Sequence, residues 1–208
     1  MVAARAVHMQ GLGGVRAERP GAYAEFVTVD SQALALVPAA VDPFAMAALG
    51  LVGVTAMGGL RQLGSLQGKR VLVTGAAGGV GSAAIAVARA MGASVAGIVA
   101  RAEQAPHVTG LGADEVIVVE RYGADKHQGT MLAWQLIRPI ALTGYSTETL
   151  DGAGLRASVQ SLSTWLETGA IRPPQFRRIP LDRAAEAHGL LEQGGVSGRV
   201  LLVPQGKR

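Results

Sequence analysis

The residues best suited to chemistry form a glycine-rich segment, 71–82, in which an apolar stretch runs into a turn and then into a predicted helix. The turn follows the pattern Gly75-x-x-Gly78-x-x-Gly81. Glycines let a backbone turn tightly and approach a ligand, and the free N–H groups at a helix start attract an anion. Between two strands, that anion is typically a dinucleotide pyrophosphate. The alternative is a close-packing turn without a ligand.

The end of the next predicted strand, at Ala100-Arg101, indicates which dinucleotide would bind. An Asp or Glu at this place accepts the ribose 2′-hydroxyl of NAD, but the nearest acidic residue here is Glu103. An arginine can instead pair with the 2′-phosphate of NADP. Arg101 therefore favours NADPH over NADH, and the alternative is a solvated arginine at a strand end.

The elements that would position these residues alternate between strand and helix. A continuous apolar run is typical of a buried parallel strand, and parallel strands joined by helices form a doubly wound sheet. The predicted strands are 70–74, 94–100 and 115–119, and the predicted helices between them are 82–91 and 103–111. The sequence thus predicts an α/β fold with a parallel Rossmann-type sheet.

The flanking segments predict further elements. Alternation over 21–37 indicates strand, and Asp42 with Pro43 opens a helix that reaches Val54-Thr55, followed by a second helix over 55–63. Beyond the sheet we predict helices over 130–137 and 155–168, strands over 139–143, 176–180 and 200–203, and a helix over 183–192 with Asp182 as its N-cap.

The composition of the 208 residues excludes several classes of protein. Apolar residues make up 49% and charged residues 16%, which excludes intrinsic disorder. The absence of cysteine excludes disulfides, thiolate metal sites and a cysteine nucleophile. The net charge of +4 comes from dispersed arginines, so we expect no nucleic acid partner. The four histidines are isolated, and we expect no metal site.

Two uncharged stretches, 43–60 and 71–88, approach the length of a membrane span. Both consist largely of alanine and glycine, and the second changes from a strand pattern to a helix pattern. We therefore expect buried elements of a soluble domain and no membrane span. The N-terminal residues contain no apolar run typical of a secretion signal, so the expected location is cytoplasmic.

On several segments the chain resembles the medium-chain dehydrogenase/reductase superfamily, in its zinc-free quinone oxidoreductase branch. The segments are 21–27, Ala48 to Ala56, Arg70 to Ser82, 111–117, 179–188 and 198–202. The resemblance implies NADPH-dependent, zinc-independent hydride transfer to a quinone or to an activated carbon–carbon double bond. It identifies no catalytic residue in this chain.

The resemblance also implies cofactor-binding residues. Thr55 would lie near the nicotinamide half of NADPH and Arg101 near its 2′-phosphate. The pyrophosphate would be held by Gly75, Ala76, Gly78, Gly79, Val80 and Gly81. Two residues depart from the family pattern at the phosphate site, because Gln104 replaces a lysine and Val119 replaces a tyrosine.

The resemblance divides the chain into three parts. Residues 1–42 would be a remnant of a GroES-like β-barrel catalytic domain, 43–175 a Rossmann domain that lacks its fourth and fifth strands, and 176–208 the return to the catalytic domain. The segment 139–144 corresponds to an edge strand used in dimerisation, so a homodimer is a candidate assembly. Two alternatives to the enzyme remain open, a non-catalytic nucleotide-binding or dimerising descendant and a deletion-bearing fragment.

Overall fold

Three parallel strands form the central sheet of the computed structural model, which describes residues 2–4, 23–26, 31, 34–119, 145, 150–194, 196 and 198–204. The strands are β3 (Arg70–Val73), β4 (Ser94–Val99) and β5 (Glu115–Val118). They are ordered β3-β4-β5, with Val71 opposite Val95 and Gly97 opposite Val116. The predicted α/β fold with a parallel Rossmann-type sheet is confirmed.

The connections between these strands are helical. Helix α2 (Gly79–Ala90) joins β3 to β4, and a short 3₁₀ turn followed by α3 (Ala105–Gly110) joins β4 to β5. Ile85 and Val87 of α2 and Val108 of α3 are fully buried. Small side chains on α2 allow it to pack closely on the sheet, which accounts for the alanine-rich composition of this segment.

Helix α1 (Pro43–Arg61) precedes the sheet as one continuous element. Asp42 is its N-cap, since the carboxylate accepts a 2.9 Å hydrogen bond from the Phe44 N–H, and Pro43 occupies the first turn as predicted. The predicted division into two helices near Thr55 is wrong. The helix continues through this region because it is packed on both sides, with α2 and with α4 (Gly152–Glu167).

Helix α1 is also long and apolar enough, at 19 residues and a mean hydropathy of 1.6, to match a membrane-spanning helix by length and composition. However, its large side chains are enclosed by the rest of the fold. Met46, Leu49 and Met57 are each at most 1% exposed. These contacts are typical of the central helix of a hydrophobic core.

Two small strand pairs flank this core. Strands β1 (Val2–Ala4) and β2 (Leu34–Leu36) are antiparallel, whereas β6 (Phe176–Pro180) and β7 (Arg199–Val203) are parallel and are joined by α5 (Ala184–Glu192). Strand β7 lies beside α1, so that residues far apart in sequence meet near the central sheet.

Two predictions in these flanking parts are wrong. Of the strand predicted over 21–37, Leu34–Leu36 form β2, but residues 23–26 are irregular. Phe26 is 89% exposed, so the alternating pattern there has no buried face to match. Helix α5 has Arg183 rather than Asp182 at its N-cap, because a 3₁₀ turn over Leu181–Arg183 comes first. The predicted elements over 130–137 and 139–143 lie outside the described residues. The domain boundaries at residues 42 and 175 stay predictions.

Candidate functional site

The turn between β3 and α2 is closed by backbone contacts that only glycine permits. Gly75 has a φ of +61°, and its carbonyl accepts a 2.9 Å hydrogen bond from the Gly78 N–H. A Cβ on Gly81 would collide with the carbonyl oxygen of Gly75 and would lie 2.9 Å from Cα of Ala76. The start of α2 is therefore held directly against the end of β3.

The N-terminus of α2 has no side-chain cap. Gly78 is the N-cap in an extended conformation (φ −78°, ψ 170°) and has no side chain to accept from the helix. The first turn contains no acidic residue. Because the leading N–H groups of a helix lack intrahelical acceptors and carry a partial positive charge, this end attracts an anion.

The turn is also fastened to its neighbours in the fold. The N–H of Ala76 donates to the carbonyl of Ile98 on β4 at 3.0 Å, and Ala76 is fully buried. A Cβ on Gly97 would lie 2.7 Å from Cγ1 of Val108 and 3.1 Å from Cβ of Ala76. The conformation of the turn therefore depends on β4 and α3 as well as on its own glycines.

Arg199, at the start of β7, brings a cation to the same place. A Cβ on Gly79 would lie 3.1 Å from both Cδ and Nη1 of Arg199, so the arginine side chain rests against the first residue of α2. Among the described residues, its Nε is one of two buried side-chain nitrogen or oxygen atoms without a hydrogen-bond partner. Burial lowers the pKa of the guanidinium, which nevertheless stays protonated at neutral pH.

No sequence motif singles out Arg199 as a site residue. The available signal was a single arginine at the start of an otherwise apolar strand, 199–203, directly after Gly198. What this position faces is decided by the packing of β7 beside α1, which sequence periodicity does not report.

Arg101 lies just beyond the carboxyl end of β4, as predicted, and it is exposed. Its Nη2 donates to the carbonyl of Gly194 at 3.3 Å, and its backbone N–H donates to Oε1 of Gln104 at 3.2 Å. The Gln104 side chain thus binds the Arg101 backbone. Among the described residues, this bond to Gly194 uses one of the five N–H donors of the guanidinium.

Thr55 lies on α1, one turn after Val52 and on the same face of the helix. Val52 contacts the start of α2, since its Cγ1 would lie 3.4 Å from a Cβ on Gly79. The Thr55 hydroxyl donates to the carbonyl of Leu51 at 2.8 Å, which leaves its oxygen free to accept a hydrogen bond. The structure therefore brings Thr55 to the same side of α1 as the turn.

The predicted pyrophosphate-binding residues come together in one continuous segment. It consists of Gly75, Ala76, Gly78, Gly79, Val80 and Gly81, of which Ala76 is fully buried and Val80 is 46% exposed. Arg101 follows the adjacent strand in the sheet, and Arg199 reaches the segment from the C-terminal strand pair. Their roles in binding remain predictions.

The described residues do not provide a zinc site. They contain no group of three or more His, Cys, Asp or Glu side chains that could hold a metal ion, and the whole chain has no cysteine. Of the histidines, His107 is buried and forms a hydrogen bond with Ser82. His188 packs against the ring of Tyr23, with the ring centroids 5.7 Å apart. Both have partners other than a metal.

Comparison with known proteins places this arrangement in a family. A sequence profile described as zinc-binding dehydrogenase matches residues 51–202, which include the glycine turn, Arg101 and Arg199. The chain therefore belongs to this dehydrogenase family, and its relatives are quinone and alkenal oxidoreductases of the medium-chain dehydrogenase/reductase superfamily. The family resemblance inferred from the sequence is confirmed.

Two curated relatives and one solved structure show how far the similarity extends. A 2-methylene-furan-3-one reductase of Solanum lycopersicum is 30% identical over 95% of this chain and 56% of its own length. A chloroplastic NADPH-dependent alkenal/one oxidoreductase of Arabidopsis thaliana is 31% identical over 88% of this chain and 53% of its own length. A mycobacterial quinone oxidoreductase superposes with a TM-score of 0.70, at 26% identity, over 88% of this chain and 71% of its own. The chain spans about half the length of these curated relatives.

Proposed function

We propose that the chain binds NADPH at the turn between β3 and α2 and that it serves hydride transfer to a quinone or an activated carbon–carbon double bond. The observation that carries the proposal is the meeting of the open α2 N-terminus with the Arg199 side chain at Gly79. A helix N-terminus and a guanidinium at one point suit a pyrophosphate, which carries two negative charges.

The residues present fit this cofactor. A Cβ on Gly75 would find no atom within 4 Å, so the turn is open on that side, and the buried Nε of Arg199 has no hydrogen-bond partner among the described residues. Arg101 would pair with the 2′-phosphate, and the Thr55 oxygen would accept a hydrogen bond from the nicotinamide half. When bound, NADPH supplies the hydride.

The substrate class rests on the names of the relatives. These refer to a 2-methylene-furan-3-one, to alkenals and to a quinone. An alkenal has a double bond conjugated to a carbonyl, and a quinone has the same conjugation within a ring. Both accept a hydride at carbon or oxygen with few catalytic side chains, provided that the donor is positioned. Homodimerisation also remains a proposal. A cytoplasmic location remains one too, since one relative is chloroplastic by name.

The direct test is titration of the purified protein with NADPH and NADH, followed by cofactor oxidation assays with a quinone and an enone. We expect NADPH to bind in the micromolar range and more tightly than NADH, and one of the substrates to increase oxidation. Binding without oxidation of either substrate class would instead favour the non-catalytic descendant. Failure to bind either dinucleotide would contradict the proposal.

Arg101→Ala tests the choice of cofactor separately. Loss of a charge-assisted pair with the 2′-phosphate should raise the Kd for NADPH by about tenfold or more and leave the Kd for NADH unchanged. Arg177→Ala, at an exposed position on β6, provides the matched control. An equal effect of Arg101→Ala on both dinucleotides would refute the assignment to the 2′-phosphate.

A further inference from the structure

A buried row of three hydrogen-bonded groups lies directly behind the glycine turn. The Ser82 hydroxyl on α2 is 2.9 Å from Nε2 of His107 on α3 and 3.3 Å from the carbonyl oxygen of Ala76. Ser82 is fully buried and His107 is 8% exposed. An imidazole, a hydroxyl and a carbonyl of the turn are thus joined in sequence.

The donors and acceptors present indicate where the Ser82 hydroxyl proton and the His107 ring proton lie. The Ser82 hydroxyl donates its single proton to the Ala76 carbonyl. With that proton so placed, the Ser82 oxygen accepts from His107. This requires the neutral imidazole to carry its proton on Nε2. Burial lowers the pKa of His107, which favours the neutral form at neutral pH.

The Ser82 hydroxyl has a second possible acceptor, to which it could turn if the imidazole were absent. A serine within a helix readily donates to the carbonyl four residues earlier, which for Ser82 is that of Gly78. The Nε2–H of His107 favours the rotamer in which the hydroxyl reaches Ala76 instead. The bond to Ala76 therefore depends on a residue of the neighbouring helix.

We infer that His107 is a positioning residue for the dinucleotide, because it acts through Ser82 to fix the Ala76–Ala77 peptide of the turn. In a trans peptide the carbonyl and the following N–H point in opposite directions. Holding the Ala76 carbonyl toward Ser82 therefore directs the Ala77 N–H away from the core. The role in binding rests on the proposed function, whereas the effect on the turn does not.

The test compares His107→Leu, which removes the hydrogen bond but fills the space, with His107→Gln, whose amide N–H reaches a position similar to Nε2. We expect His107→Leu to raise the Kd for NADPH about tenfold and His107→Gln to restore it to within about threefold. His188→Gln, at an exposed histidine on α5, should leave the Kd unchanged.

A second measurement uses the protein without cofactor. In His107→Leu the amide of Ala76, which donates to Ile98, should exchange with solvent several-fold faster than in the wild type, and His107→Gln should not differ. Nitrogen chemical shifts should show the wild-type proton on Nε2. Unchanged exchange and unchanged Kd in His107→Leu would overturn the inference. If the wild-type protein binds no dinucleotide, the proposed function is contradicted. The exchange measurement would still decide the role of His107 in the turn.

Discussion

The carboxylate of Asp114 joins two strands of the central sheet, since its Oδ2 accepts a 2.7 Å hydrogen bond from the N–H of Val95 at the start of β4. The same carboxylate binds Nη1 of Arg89 on α2 at 2.9 and 3.0 Å. Asp114 therefore links the entry to β5 with both β4 and α2, and it does so at the end of the sheet opposite the glycine turn.

Asp114→Ala should lower the free energy of unfolding by about 1–2 kcal/mol, because it removes a charge-assisted bond to the Val95 N–H together with the partly exposed ion pair. Denaturant unfolding measures the change. The control is Glu115→Ala, which removes an exposed 3.4 Å pair with Arg70 and should cost at most about 0.5 kcal/mol. Equal effects of the two variants would contradict the role of Asp114.

Gly81→Ala should abolish the turn geometry. The added Cβ would meet backbone atoms of Gly75 and Ala76, which cannot move aside as a flexible side chain can. We expect a loss of stability of about 1–3 kcal/mol and a rise in the Kd for NADPH of more than about tenfold. Thermal unfolding and cofactor titration report these two effects.

Gly50→Ala is the matched control for this substitution. Gly50 lies within α1, and a Cβ there would find no atom within 4 Å. This variant should gain about 0.5–1 kcal/mol from helix propensity and bind NADPH normally. A Gly81→Ala protein as stable and as competent in binding as Gly50→Ala would exclude the close-approach explanation of the turn.

Arg199→Ala should weaken NADPH and NADH binding by the same factor, about 10–100-fold, because both dinucleotides share the pyrophosphate. This pattern differs from that expected for Arg101→Ala, which should affect NADPH alone. Titrations at low and at high salt should show a smaller factor at high salt. A selective effect on NADPH would place Arg199 at the 2′-phosphate instead.

Acidification should destabilise the protein through His107. Burial lowers the pKa of this histidine in the folded state, so the unfolded chain binds more protons below the usual pKa of about 6.5. Its contribution to stability is complete above that pH and is lost as the pH falls toward the lowered pKa, by at most about 1.4 kcal/mol per pH unit.

The measurement is the free energy of unfolding at pH 7.5 and at pH 5.5 in the wild type and in His107→Gln. The variant should lose less stability than the wild type over this interval, because glutamine does not titrate. The same pH dependence in both proteins would show that the histidine does not contribute.

Short sequence patterns predicted the strand bounds, the N-cap of α1 and the glycine turn, because each depends on neighbouring residues in the chain. Strand β6 has the predicted bounds, and β3, β4, β5 and β7 each differ from their predicted bounds by one residue at one end. Asp42 caps α1 as expected. Gly75 and Gly81 were identified as essential to the turn because left-handed backbone and close approach leave few other choices. Helix α2 begins three residues before its predicted start, since its N-cap, Gly78, provides no side-chain signal.

The remaining parts depend on contacts between residues distant in sequence. The sequence pattern predicts a boundary between two helices at Thr55, but packing against α2 and α4 keeps α1 continuous. Arg199 meets Gly79 only because β7 packs beside α1, and His107 was recognised only as an isolated histidine until α3 brought it to Ser82. Neither pairing has a sequence signal of its own.

The position of Arg199 has a consequence for biosynthesis. The glycine turn and α2 emerge from the ribosome long before β7, so a nascent chain has the open helix N-terminus without its cation. The proposed anion site is completed only after β7 has been synthesised and has paired with β6. Cofactor capture would therefore come late in maturation, and it would favour chains whose C-terminal strand pair has already docked.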